Sequence, residues 1–170
     1  MATRFSSYSL VKLQHHMSKT IILNLITVAL LTACGDQTKD THPQQLVSKR
    51  QAIFKKFTKT LEPMGLVARD RQDYVKAEFV ASSLALQTLS DQPWAYFSAD
   101  SNYPPTRAKP EVWSQADKFK IAKDSYLAAV DQLVKVAASG DKPSISAAVE
   151  IVQKNCKTCH DHFRSDRAGE

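Results

Sequence analysis

Two cysteines and a histidine stand at Cys156-Lys157-Thr158-Cys159-His160, close to the C-terminus of a 170-residue chain. Cys-x-x-Cys-His is the spacing of covalent haem attachment: each thiol adds across one vinyl group of the porphyrin, and the adjacent imidazole reaches the iron. A chain that carries such a site must build much of its core around a flat apolar disc. Two other readings compete with it. A redox dithiol of the thioredoxin kind belongs next to a βαβ unit, and no period-2 run lies near Cys156. A structural zinc site needs a second pair of soft ligands, and the third and last cysteine, Cys34, lies far away in a different context.

That context is a secretory signal. Residues 1–33 contain Arg4, Lys12 and Lys19 and no acid, and the apolar stretch from Ile21 to Ala33 is too short and interrupted to span a bilayer comfortably. The stretch closes on Leu31-Thr32-Ala33-Cys34, which is similar to the bacterial lipoprotein box, where small residues precede a cysteine that becomes lipidated and forms the new N-terminus. Cys34 is therefore read as a lipid anchor and the mature protein as facing the periplasm. Cleavage without lipidation is the plainer alternative. Met17-Ser18-Lys19-Thr20 would make a more usual start than Met1, so translation is expected to begin there. Gly35 to Pro43 is polar and turn-rich and reads as a flexible tether of about 30 Å if extended.

Loss of residues 1–33 removes three positive charges, so the formal balance falls from +6 to +3 before haem propionates are counted. No lysine cluster with interleaved aromatics follows, which argues against nucleic acid as a partner.

From Gln44 onward enough chain remains for one domain and not two. Pro63 and Gly65 read as the end of a first segment, Pro93 to Pro110 as a loop, and Gly140 with Pro143 as a short break. Between these joints apolar residues recur at three and four: Leu46, Ile53, Phe54, Phe57 and Leu61; Val75, Phe79, Leu86 and Leu89; Phe119, Ala122, Tyr126, Ala129, Leu133 and Val136; Ile145, Ala148, Val152, Cys159 and Phe163. Such seams belong to amphipathic helices. Ser114 is placed to cap the third, Gly140 to close it, and Asp141 or Ser144 to cap the fourth. Four helices with mostly short connections predict an all-α fold, an antiparallel four-helix bundle, with the attachment motif on its last helix.

Three passages carry a family resemblance: Arg50-Gln51-Ala52-Ile53-Phe54-Lys55; Pro93-Trp94-Ala95-Tyr96-Phe97 through Arg107 to Pro110-Glu111-Val112-Trp113; and Cys156 through Arg164. Residues 44–167 resemble the class II c-type cytochromes, specifically cytochrome c′, which the bundle architecture also includes among its known cases. The resemblance implies one covalently attached haem c on Cys156 and Cys159, with His160 as the iron's fifth ligand. It places the side chain four residues after Arg50 over the other face of the iron. Here that is Phe54, where electron-carrying relatives have methionine. It also implies that Arg50 neutralises a haem propionate and that Arg164 sits beside the proximal side. Surface arginines are the plain alternatives for both, the second favoured by the helix C-terminus in any case. Family members are often homodimers packed through their first two helices.

Phenylalanine has no lone pair to give, so Phe54 predicts a five-coordinate, high-spin iron beneath an apolar lid without a hydrogen-bond donor. Such a site suits nitric oxide and carbon monoxide, and the expected function is gas binding, with nitric oxide sequestration the role the resemblance implies. The competing expectation is an electron carrier with a membrane redox partner. Enzymatic turnover is not expected, because no general acid or base is placed in the pocket. Trp94 and Trp113 read as packing residues. His42, on the tether, is the one imidazole besides His160 that could swing toward the iron, at an ordering cost.

Overall fold

A computed structural model describes residues 39–166. Four long helices form the bundle: α1 (Leu46–Ala68), α2 (Lys76–Ser90), α4 (Ala116–Ser139) and α5 (Lys142–Phe163), with a one-turn α3 (Glu111–Ser114) ahead of α4. The described residues contain no strand, only an isolated antiparallel bridge between Ala108 and Arg164. The expected all-α fold is thus observed, and among the described residues no βαβ unit accompanies the dithiol. No described helix is long and apolar enough to cross a membrane.

The predicted seams face inward. Ile53, Phe57, Met64 and Val67 of α1, Phe79 and Leu86 of α2, Tyr126, Val130 and Leu133 of α4, and Ile145, Val149 and Val152 of α5 make one continuous buried core. Burying each large aliphatic side chain contributes about 1.5–3 kcal/mol, and these contacts hold α5 against α4 and α1, and α2 against α1 and α4.

Several expected boundaries move. The first helix does not stop at Pro63 and Gly65 but runs through both to Ala68. A Cβ on Gly65 would stand 2.7 Å from Gln153 Nε2 and 3.3 Å from an Arg69 nitrogen, so glycine here lets side chains lie close over the helix rather than ending it. The real stop comes at Arg69 and at Asp70, whose φ of 55° reverses the chain. The second helix starts at Lys76, and Val75, expected on its inner seam, stands at its N-cap and is 47% exposed. Ser114 ends α3 instead of capping the third long helix; Gln115 takes the cap position with no side-chain bond. Two expected joints stand where the sequence put them. Gly140 closes α4, its N–H donating to Val136 O at 2.6 Å, an approach at which a Cβ would collide with that carbonyl. Asp141 caps α5, accepting from Ser144 N at 2.9 Å.

The tether also needs correction where it is described. Asp40 is buried. Its carboxylate accepts from Ser48 N at 2.8 Å and His42 N at 3.2 Å. Tyr103 Oη accepts from Leu46 N and Val47 N, so the open N–H groups of the first turn of α1 are closed from 57 and 56 residues away. His42 stacks on the Tyr103 ring at 4.5 Å, which ties down the imidazole considered as a mobile ligand. The signal peptide over residues 1–33, the Met17 start and the Cys34 anchor lie outside the described residues.

Candidate haem site

In an antiparallel bundle the start of α1, the end of α2, the start of α4 and the end of α5 lie together, and the loop 91–110 closes that end. Arg50 organises the loop. Its guanidinium donates to Tyr96 O at 2.8 Å, Ser101 Oγ at 2.9 Å, Ser101 O at 3.2 Å and Thr106 Oγ1 at 2.5 Å, and lies 4.5 Å from the centre of the Phe97 ring. Only 3% of the residue is exposed, and burial lowers its pKa to about 10, which leaves it cationic at neutral pH. Of five guanidinium donors, the four on the terminal nitrogens go to the loop. The guanidinium therefore holds the loop that passes over its head group.

The loop so held packs aromatic side chains against α1 and α4. Phe54 meets Phe57, Trp94 and Phe97 edge-on at 5.3, 6.1 and 6.3 Å between ring centres. Tyr126 stacks on Phe57 at 5.7 Å and meets Trp94 at 6.2 Å, while Phe119 contacts Trp94, Phe97 and Phe163. Both tryptophans use their indole N–H inside the fold, Trp94 toward Ser90 O at 2.7 Å and Trp113 toward Ser98 O at 2.9 Å, as packing residues should. Phe54 itself is half-buried at the border of the core, and so is Cys156.

On α5 the two thiols and the imidazole are all partly buried. Burial pushes the Cys156 thiol up to about 11 and raises Cys159 as well, so both sulfurs are neutral in an apolar setting. His160 moves the other way: burial, then the positive charges of Arg164 and Arg107, hold its pKa down to about 4. The imidazole is neutral at physiological pH, the form in which a ring nitrogen can ligate a metal. Among the described residues no group of three or more His, Cys, Asp and Glu side chains gathers as a metal site, so the zinc reading has no support there.

The expected place of Arg164 changes in detail. Spacing by four from Cys156 and His160 would put Arg164 on their helical face, but α5 ends at Phe163, and Arg164 is extended at φ −125° and ψ 130°. A strap causes this: Lys109 N donates to Phe163 O at 2.9 Å, Ser165 N to Arg107 O at 2.8 Å, and the Arg107 guanidinium forks onto Ser165 O at 3.0 and 2.9 Å. Arg164 still borders His160 in a cleft of about 570 Å³ with Lys109, Glu111 and Asp161. Sequence reasoning gave Arg107 no role, since a loop arginine carries no periodic signal. It also took Tyr126 as one more seam residue, although its hydroxyl is buried without a partner.

Two thiols in an apolar setting, a neutral imidazole beside them and a wall of aromatic rings fit a covalently held porphyrin. Comparison with known proteins agrees. A family model described as Cytochrome C′ matches residues 45–164. The chain belongs to the cytochrome c′ family. It is 35% identical over 125 residues to cytochrome c′ of Rubrivivax gelatinosus, covering 72% of this chain and 95% of that protein. Against cytochrome c′ of Alcaligenes xylosoxydans xylosoxydans it is 30% identical over 125 residues, covering 74% and 97%. Solved structures superpose over the same region. The nitric oxide complex of a cytochrome c′ variant from Alcaligenes xylosoxidans has a TM-score of 0.70 at 29% identity, covering 76% of this chain and all of that one. A carbon monoxide-bound variant from the same organism has a TM-score of 0.70 at 30% identity, covering 75% and 100%. As in the rest of the cytochrome c′ family, the cofactor is one covalently attached c-type haem.

Proposed function

We propose that this protein is a periplasm-facing gas-binding haem protein that takes up nitric oxide and carbon monoxide, and that it sequesters nitric oxide rather than turning over a substrate. The observation that carries this reading is the identity and setting of Phe54: a side chain with no ligating atom, fixed by Phe57, Trp94 and Phe97. When bound, haem supplies an iron able to take a diatomic gas at a free coordination position. Cys156 and Cys159 hold the porphyrin, His160 offers a neutral nitrogen, and Arg164 lies beside that imidazole. Phe54 would stand on the iron's other side and offer it no ligating atom. Support comes from the relatives whose nitric oxide and carbon monoxide complexes have been solved on the same fold. A lipid on Cys34 would keep the protein at a membrane of the bacterial envelope.

The test is the optical spectrum of the purified mature protein, oxidised and reduced, before and after carbon monoxide. High-spin bands that shift sharply with the gas are expected. A low-spin spectrum indifferent to the gas would refute the open site and make electron transfer the function. Mass spectrometry of the mature chain checks the anchor, which requires a lipidated Cys34 at its N-terminus.

A further inference from the structure

Four lysines of α1, Lys49, Lys55, Lys56 and Lys59, are exposed on the side of the helix turned away from the core residues Ile53, Phe57 and Met64. At 3.6 residues per turn they fall within about 120° of one another. No acid occurs in α1 before Glu62, and α2, packed beside it, carries no charge between Glu78 and Asp91. Among the described residues none of the four is in an ion pair, whereas Lys120, Lys142 and Lys157 pair with Asp124, Asp70 and Asp161. Like charges three and four apart on a helix repel, so this face gains from an anionic cover. The entry of the chain is the second observation. Asp40 is buried and bonded to Ser48 N, one residue before Lys49. Only five residues, Gly35 to Lys39, separate Cys34 from that fixed point, a stretch of about 20 Å when fully extended. A lipid on Cys34 is thereby tied close to the end of α1 from which the lysine face starts.

We infer that the lysine face of α1 is a membrane-docking surface that takes the anionic phosphate headgroups of the leaflet holding the lipid. This rests on the Cys34 anchor in the reading above. A basic patch and an acyl chain are complementary membrane signals, and each lysine at an anionic surface strengthens binding by roughly fivefold. That attraction fades beyond about 8 Å at physiological salt, and the short stretch from Cys34 to Asp40 holds the face near enough to feel it. The bundle then lies along the leaflet with α1 against it, rather than standing off on the free tether expected from sequence. A two-fold pairing of this face with itself would set lysines against lysines.

The experiment uses the mature holoprotein with Cys34→Ser, so that no acyl chain contributes, floated with phosphatidylcholine vesicles with and without phosphatidylglycerol. Binding to the anionic vesicles alone is expected, reversed near 1 M salt, where the screening length is about 3 Å. Adding Lys55→Gln, Lys56→Gln and Lys59→Gln together is expected to weaken binding by roughly a hundredfold. Lys118→Gln, Lys135→Gln and Lys154→Gln remove the same charge from exposed positions on α4 and α5 and are expected to cost less than about threefold. The haem spectrum should be unchanged in both triple variants, which shows that each is folded. Equal losses in the two would make net charge the cause and overturn the docking face. No binding to anionic vesicles would overturn it too, as would an α1 variant that alters self-association and leaves flotation unchanged. Flotation as expected, with no lipid found on Cys34 of the native chain, supports the face and refutes the anchor alone.

Discussion

Replacing Arg50 by methionine tests whether this side chain serves the fold or the cofactor. The wild-type guanidinium makes four hydrogen bonds within the protein and is 3% exposed. Bonds to a charged donor contribute about 1.5–3 kcal/mol each, and the several kcal/mol needed to bury the charge offsets much of that. Methionine fills a similar volume but strands the carbonyls of Tyr96 and Ser101, each at about 1 kcal/mol or more, and leaves the Thr106 hydroxyl with Ala108 N as its remaining partner. The expected loss is about 3 kcal/mol, which for a domain of this size lowers the melting temperature by roughly 10 °C. Urea and thermal unfolding of the holoprotein, followed by far-ultraviolet circular dichroism, measure it. Arg50→Lys should recover little, because an ammonium cannot fork across these acceptors. A loss below about 1 kcal/mol, with a shifted haem potential instead, would refute the reasoning and return Arg50 to a propionate.

Three further outcomes follow from the same geometry. Phe54→Met offers the iron a sulfur from the position the lid occupies, so its spectrum should turn low-spin and its carbon monoxide uptake should slow or vanish. Asp141→Ala removes the side-chain cap of α5 and should cost about 1 kcal/mol in urea titrations. At Asp40 burial alone would raise the carboxyl, but bonds from the backbone N–H and side chain of Ser48 and from the His42 N–H prevail and hold its pKa below the usual range. A depressed folded-state value means the stabilisation is fully present above the unfolded-state pKa near 4 and is lost as pH falls through the lower folded one. Hydrogen exchange at Leu46 to Ser48 should therefore accelerate below about pH 4, and Asp40→Asn should abolish that acid dependence.

Periodicity made the four helices legible, since Ile53, Phe57, Tyr126, Leu133, Ile145 and Val152 fall on seams that do face the core. Breaker residues were less reliable. Pro63 and Gly65 carry a local cost that the packing of α1 against α5 outweighs, so the chain continues helical where propensity would stop it. At the site, Cys156, Cys159 and His160 announce themselves by spacing, whereas Phe54 is marked only by the family resemblance, which puts a side chain four residues after Arg50 over the iron. The partners of Arg50, the strap from Arg107 to Ser165 and the cap that Tyr103 provides were not legible. Each joins groups more than 45 residues apart, and nothing local marks the pairing. Tyr126 was hidden differently: its ring fits the seam, and only the fold reveals that its oxygen has no protein partner.

Those distant pairings have a kinetic consequence. The α4–α5 hairpin is joined by contacts of short span, whereas the α1–α5 seam and the loop's bonds, spanning 46 residues to Tyr96, 57 from Tyr103 and 58 from Arg107, close long ones. Contacts of short span form early and those of long span are entropically late, so the hairpin forms first and the loop locks onto the helices afterwards. Substitutions at Arg50, Tyr103 or Arg107 should then leave the folding rate almost unchanged and act on unfolding. The rim over the haem end becomes the slow latch on a quickly built barrel of helices, and the lifetime of the native state is set there.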